Sequence, residues 1–243
     1  MACFVLVHEA FMGGWAFSQT ARHLAGLGHE VHVPTLSGCG ERSHLLRPEI
    51  GLAWHVEDVC QKIFHEDLSQ VVLTGHGYGA LVACGAAHRM PSKAAAVIHL
   101  DGLLPVRGKS YADLAGLRFA RDLALQATQG WLIQPKSPQS YGITCEGLKR
   151  WLSARLTPFP IKALTDPYPY GPRDRDLPGA YLRLCGPQNP LAERMAGQAK
   201  LMGLARHDLE AGPFPMLTGP NKLAQALHRI AAELQPGQVA INP

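Results

Sequence analysis

Short apolar runs rich in β-branched residues alternate along this chain with longer stretches of helical periodicity, and that alternation restricts the fold more than any single motif does. The runs Cys3–His8, Glu30–Pro34, Val71–Gly75, Ala95–Asp101, Gly179–Cys185 and Leu204–Glu210 read as strands. Helical patterns fall near Trp15–Leu27, Leu52–Asp67, Gly79–Arg89, Pro190–Gly203 and Asn221–Leu234. Strands separated by helices pair in parallel, and strands apolar at nearly every position are buried on both faces. The predicted fold class is α/β, a mostly parallel sheet flanked by crossover helices.

Residues 104–177 interrupt the rhythm. Pro105, Pro135, Pro138, Pro158, Pro160, Pro167, Pro169 and Pro172 punctuate two modest helical stretches. The segment is too long for a plain connection, so it reads as a lid inserted into a core made of 1–103 and 178–243, the whole forming one domain. An irregular surface decoration is the alternative.

Charge and cysteine usage narrow the partners. A net charge of +4 is mild and its Lys and Arg residues are scattered, which argues against nucleic acid or a membrane surface and for a small-molecule substrate. The six cysteines lie far apart without a C-x-x-C pair, so neither a zinc site nor a disulfide framework is expected. No signal peptide or membrane-length apolar run is found, and a cytoplasmic protein is expected, with room for a homodimer.

The run Val71–Thr74 leads into Gly75-His76-Gly77-Tyr78-Gly79. This has the form of a nucleophile elbow, G-x-S-x-G, with glycine in place of the serine. Gly77 has no side chain with which to attack a substrate. Several further segments resemble the small α/β-hydrolase branch that includes plant-type methylesterases, hydroxynitrile lyases and related bacterial hydrolases. They are Leu6–Phe11, Gly28–Val31, Pro34–Leu45, Leu100–Gly102 and Leu156–Pro160. The resemblance implies a six-stranded parallel core, a helical lid and an active site at the carboxyl ends of the strands; no cofactor or metal is expected.

The chain departs from that family at each triad position. The nucleophile position is Gly77, and the catalytic histidine position is Pro213, within Gly212-Pro213-Phe214-Pro215-Met216. Where the acid is expected, Gly186-Pro187-Gln188-Asn189 carries no carboxylate. A triad works as a unit, so no acyl-serine chemistry is expected. Backbone N–H groups of Ala10 or Phe11 and of Tyr78 remain as candidate oxyanion donors. Glu9 and Asp101 are the candidate bases, with the Tyr78 hydroxyl a minor candidate acid; Glu9 has two rival roles, plugging the oxyanion hole or pairing with Arg42. His76 reads as a packed, hydrogen-bonded residue. His8, His44, His55 and His99 show no metal-like spacing. Phe11, Trp15, Tyr111, Trp131, Tyr141, Trp151 and Phe159 supply the aromatic surface expected of a pocket for a bulky apolar, aromatic or polyketide-like ligand, with Phe214 and the space at Gly77 completing its lining. These observations predict a non-hydrolytic enzyme, a lyase, cyclase or isomerase of specialised metabolism. The alternatives are an inactive ligand- or partner-binding protein and, third, a hydrolase using carboxylate-activated water.

Overall fold

The computed structural model of this chain describes residues 1–171, 177–186 and 190–235. Its first half runs β1 (Cys3–Val7), α1 (Ser18–Gly26), β2 (Glu30–His32), α2 (Leu52–His65), β3 (Val71–His76), α3 (Gly79–Arg89) and β4 (Ala94–Leu100). Then come α4 (Tyr111–Ala115), α5 (Leu117–Ala127), β5 (Leu132–Ile133), α6 (Glu146–Ser153), β6 (Phe159–Pro160) and α7 (Ile161–Thr165). The chain closes with β7 (Gly179–Leu184), α8 (Pro190–Leu201), β8 (Ala205–Leu209), α9 (Pro215–Thr218) and α10 (Pro220–Leu234).

Six strands form one sheet in the order β2-β1-β3-β4-β7-β8, every neighbouring pair parallel. The apolar runs are continuous because the sheet is covered twice. Along β1, Cys3, Val5 and Val7 pack on one face with Val56, Val59 and Ile63 of α2 and Leu81 of α3. Phe4 and Leu6 point the other way, toward Leu24 of α1 and Leu227 and Ile230 of α10. This is the period-two alternation of a strand expressed in two cores.

Between β4 and β7 the chain holds more regular structure than two helical stretches. Among the described residues it holds four α-helices of 5 to 11 residues and an antiparallel pair, β5 with β6. The Ser110 hydroxyl and the Asp113 carboxylate cap α4 reciprocally, which nucleates a helix too short to be seen by periodicity. The segment is fastened to the core, because Thr157 donates its N–H to the Phe11 carbonyl at 3.0 Å and Asp166 accepts from Leu52 N–H at 3.2 Å. Pro172 lies outside the described residues. Among the described residues no helix is long and apolar enough to cross a membrane.

Candidate active site

Strand order reverses at β1, with β2 on one side and β3 on the other. Loops leaving two such strands part at their carboxyl ends and open a crevice. Glu9 follows β1 and Gly77 follows β3, so the topology alone brings both to that crevice.

Gly77 has φ +52°, a left-handed conformation that glycine adopts freely and other residues at a cost. Its neighbours in the turn are crowded too: a Cβ on Gly75 would overlap the Gly79 carbonyl. A Cβ on Gly77 would overlap Oε2 of Glu9. The Glu9 carboxylate therefore fills the volume into which a serine side chain would project. Ala10 donates its N–H to Oε1 at 2.8 Å, and Tyr78 donates its N–H to Oε2 at 3.0 Å. Tyr78 is also the N-cap of α3, where the helix dipole favours an anion. The carboxylate thus rests on two of the backbone donors expected to hold an oxyanion. Phe11, the other candidate donor, has φ +69° and offers its carbonyl to Thr157.

Burial of the carboxylate raises the Glu9 pKa from 4.5 to about 7, and the nearby Asp101 charge adds to it; the N–H groups of Ala10 and Tyr78 pull it down and lose. Asp101 begins the loop after β4 at φ +47°. Its Oδ1 accepts from the Leu184 N–H at 3.3 Å. Burial lifts its pKa to about 6, against the pull of Leu184 N–H and Arg183.

A network beneath the site fixes this geometry. His8 donates Nδ1–H to the Glu9 carbonyl at 2.8 Å and accepts from Leu36 N–H at 3.0 Å through Nε2. The Tyr78 hydroxyl bonds to His55 Nδ1 at 2.8 Å, and His55 Nε2 reaches the Ser37 carbonyl at 3.0 Å. Ser37 in turn donates to Asp58, which pairs with Arg42 at 3.2 Å. These contacts correct two expectations. Arg42 is taken by Asp58 and does not pair with Glu9. The Tyr78 ring is fully buried and points its hydroxyl at His55, away from any substrate.

Glu9, Phe11, Gly77, Asp101, Tyr111 and Phe214 line a cavity of about 420 Å³, with Ala10 and Pro213 also in its wall. The other expected lining residues lie elsewhere. Trp15 borders a wider surface groove of about 710 Å³ and stacks edge-on with Trp151 at 5.2 Å. That groove's one carboxylate, Glu41, accepts the Thr35 hydroxyl at 2.5 Å, and it gathers no set of titratable groups comparable to the cavity's. Trp131 is 39% exposed. Phe159 is fully buried behind the cavity wall, against Phe11, His55 and Tyr78.

Tyr141, one of the expected pocket aromatics, lines the cavity; His76 and Lys136 line it as well, and sequence reasoning missed those two as site residues. His76 shares the face of Val72 and Thr74 in β3, which packs its ring edge-on against Phe214 at 5.4 Å. Its Nδ1 has no hydrogen-bond partner. Burial lowers its pKa to about 4, so the ring is neutral near pH 7. The period of two from Val72 was the available signal for the face it occupies. Of the segment expected to hold the triad acid, Pro187, Gln188 and Asn189 lie outside the described residues.

A model of the alpha/beta hydrolase family matches residues 4–226. The chain belongs to the alpha/beta hydrolase family. It is 33% identical to a carbendazim hydrolyzing esterase of Nocardioides sp. (strain SG-4G), over 65% of this chain and 69% of that one. It is 27% identical to Methylesterase 10 of Arabidopsis thaliana, over 95% of this chain and 92% of that one. An extracellular alpha/beta-hydrolase from a Paenibacillus species superposes with a TM-score of 0.83 at 19% identity, covering 97% of this chain and 100% of that one, which bears on the fold alone. The resemblance to the methylesterase branch and the fold class are thereby shown, and the chain is an enzyme of this family. The curated relatives are hydrolases by name. That overturns the expectation of a lyase, cyclase or isomerase, and with it the alternative of an inactive binding protein.

Two outcomes follow from the Glu9–Gly77 contact. Gly77→Ala forces a Cβ onto both a left-handed backbone and the Glu9 carboxylate. It should cost roughly 1–2 kcal/mol from the backbone alone, with Glu9 displaced from the Tyr78 N–H in a crystal structure of the variant; an unchanged unfolding free energy contradicts this. The second concerns pH. With its pKa raised from 4.5 to about 7, Glu9 keeps a proton in the folded state that the unfolded chain has released. Its contribution to stability therefore falls as pH rises through that window and stays lost above it. Urea unfolding of wild type and Glu9→Ala at about pH 5 and about pH 8 should show the difference moving in favour of the variant at the higher pH. A pH-independent difference contradicts the raised pKa.

Proposed function

We propose that this enzyme hydrolyses an ester of a small, largely apolar molecule by means of water activated by Glu9, without a serine nucleophile. The observation that carries the reading is the Glu9 carboxylate, seated in the nucleophile's volume on the N–H groups of Ala10 and Tyr78. The names of the relatives supply the bond class, and methyl esters are the first substrates to test.

The chemistry follows from where charge moves. A general base works best with a pKa near the working pH, and Glu9 stands at about 7. Glu9 takes a proton from water as the oxygen adds to the ester carbonyl. Negative charge thus leaves the carboxylate and appears on the carbonyl oxygen, and the two backbone donors lose their hold on a neutral acid as an oxyanion becomes available to them. The protonated Glu9 then returns the proton to the leaving alcohol. Asp101 holds the Glu9 pKa up by its charge, keeping the base strong. The aromatic wall of Phe11, Tyr111 and Phe214 suits an apolar acyl or alkyl group.

With a methyl-ester panel, Glu9→Gln should lower kcat/KM by roughly 10²- to 10⁴-fold, the usual range for a lost general base. In the wild type kcat/KM should rise with pH through about 7, because only the carboxylate form accepts the proton. Asp101→Asn should shift that limb to lower pH, since removing a neighbouring negative charge lowers the Glu9 pKa. A fluorophosphonate probe should leave the cavity unlabelled. Undiminished turnover in Glu9→Gln, or covalent labelling of the cavity, contradicts the proposal.

A further inference from the structure

At the opposite end of the sheet from Glu9, three residues of different chemistry converge. Cys3 opens β1 and Glu30 opens β2, and the two are register partners across the parallel pair. His32 lies two residues after Glu30, so its side chain shares the same sheet face. The Cys3 thiol lies beside the Glu30 carboxylate, and His32 Nε2 is 2.9 Å from Glu30 Oε1. One donor atom from each of the three lies within 4.8 Å of the others.

A second observation concerns the other ring nitrogen. His32 Nδ1 is 3.0 Å from Oε2 of Glu66, the C-cap residue just after α2, and Glu66 is itself paired with Lys62. A histidine that binds a metal through one nitrogen usually donates the other to a carboxylate, which fixes its ring. We propose that Cys3, Glu30 and His32 form a binding site for a zinc-class divalent ion, with Glu66 orienting His32 and water completing the coordination.

The donor set fits that class of ion. Thiolate and imidazole select borderline transition metals over magnesium or calcium. Bond lengths of about 2.3 Å to sulfur and about 2.0–2.1 Å to nitrogen and oxygen place tetrahedral ligand atoms roughly 3.3–3.6 Å apart. The backbone positions of Cys3 and His32 are set by the sheet ladder, while the Glu30 side chain is 51% exposed and free to make the small shift required. The ion takes the place of the thiol proton and of the proton shared by His32 Nε2 and Glu30, both released to solvent, with no change of oxidation state. The charges then close: thiolate, Glu30 and Glu66 against the ion and Lys62. Since β2 is a three-residue strand at the edge of the sheet, the ion acts as a clamp between it and β1.

The test is titration of chelator-treated enzyme with Zn²⁺ in competition with a chromophoric chelator, and separately with Co²⁺ followed by absorption. One ion per chain should bind, with a thiolate-to-cobalt charge-transfer band. Cys3→Ser and Glu30→Gln should each weaken Zn²⁺ binding about 100-fold, and Glu66→Gln, which touches no metal ligand except His32, about 10-fold. Glu30→Gln alters an exposed side chain and leaves the β1 core intact, so it reports even where Cys3→Ser folds poorly. Zn²⁺ should raise the melting temperature of the wild type and not of Glu30→Gln. Absence of binding, a cobalt complex without the thiolate band, or equal Zn²⁺ affinity in wild type and Glu30→Gln overturns the proposal. Ester hydrolysis by Glu9 is independent of each of these outcomes.

Discussion

The structure turns on one exchange of volume: the side chain missing from Gly77 is replaced by the carboxylate of Glu9, which reaches across from the neighbouring strand end. Neither residue is intelligible alone. Any side chain at Gly77 would expel the carboxylate. With Gly77 and no Glu9, the donors of Ala10 and Tyr78 would face an empty niche. The φ of +52° at Gly77 keeps the turn of a nucleophile elbow, so its backbone cradle persists with a different occupant. The network from Arg42 through Asp58, Ser37 and His55 to the Tyr78 hydroxyl then holds one of the two donors in place.

On the proposed reading, that exchange reconciles a hydrolase family with glycine at the nucleophile position. Pro213 supplies no base, yet the cavity it lines contains two carboxyl groups whose pKa values are raised by burial. Both are raised mainly by desolvation, and Glu9 is the one held on the backbone donors. Desolvation outweighs two hydrogen bonds and a helix N-terminus at Glu9 and raises its pKa to about 7, which is the property the proposed general-base role requires.

The fold was legible in the sequence because the four central strands, β1, β3, β4 and β7, are largely apolar and buried on both faces and the connecting helices are long enough to show their period. Predicted strand limits differ from the observed ones by a residue or two, as at Glu30–His32 and Val71–His76. The insertion was less legible. Its helices are short, and they stand on caps such as Ser110–Asp113 and on tertiary ties such as Thr157 to Phe11. Within the site, a carboxylate at the mouth of the loop was visible in the sequence, but its direction was not. The Glu9–Tyr78 contact spans 69 positions and depends on strand order. Trp15, Trp131 and Phe159 were misplaced because aromatic content marks a region without saying which way each ring turns. The Cys3, Glu30 and His32 cluster escaped for a related reason: its spacing is set by register between two strands, and no linear motif encodes it.

The most direct measurement is the titration of the Glu9 side-chain carboxyl by ¹³C NMR, on protein labelled at glutamate and assigned by the resonance lost in Glu9→Gln. The Glu9 resonance should titrate with a midpoint at about 7, well separated from the exposed glutamates. A Glu9 resonance titrating at the ordinary value of 4.5 would mean a solvated carboxylate outside the elbow, and would contradict the placement on which the proposed mechanism stands.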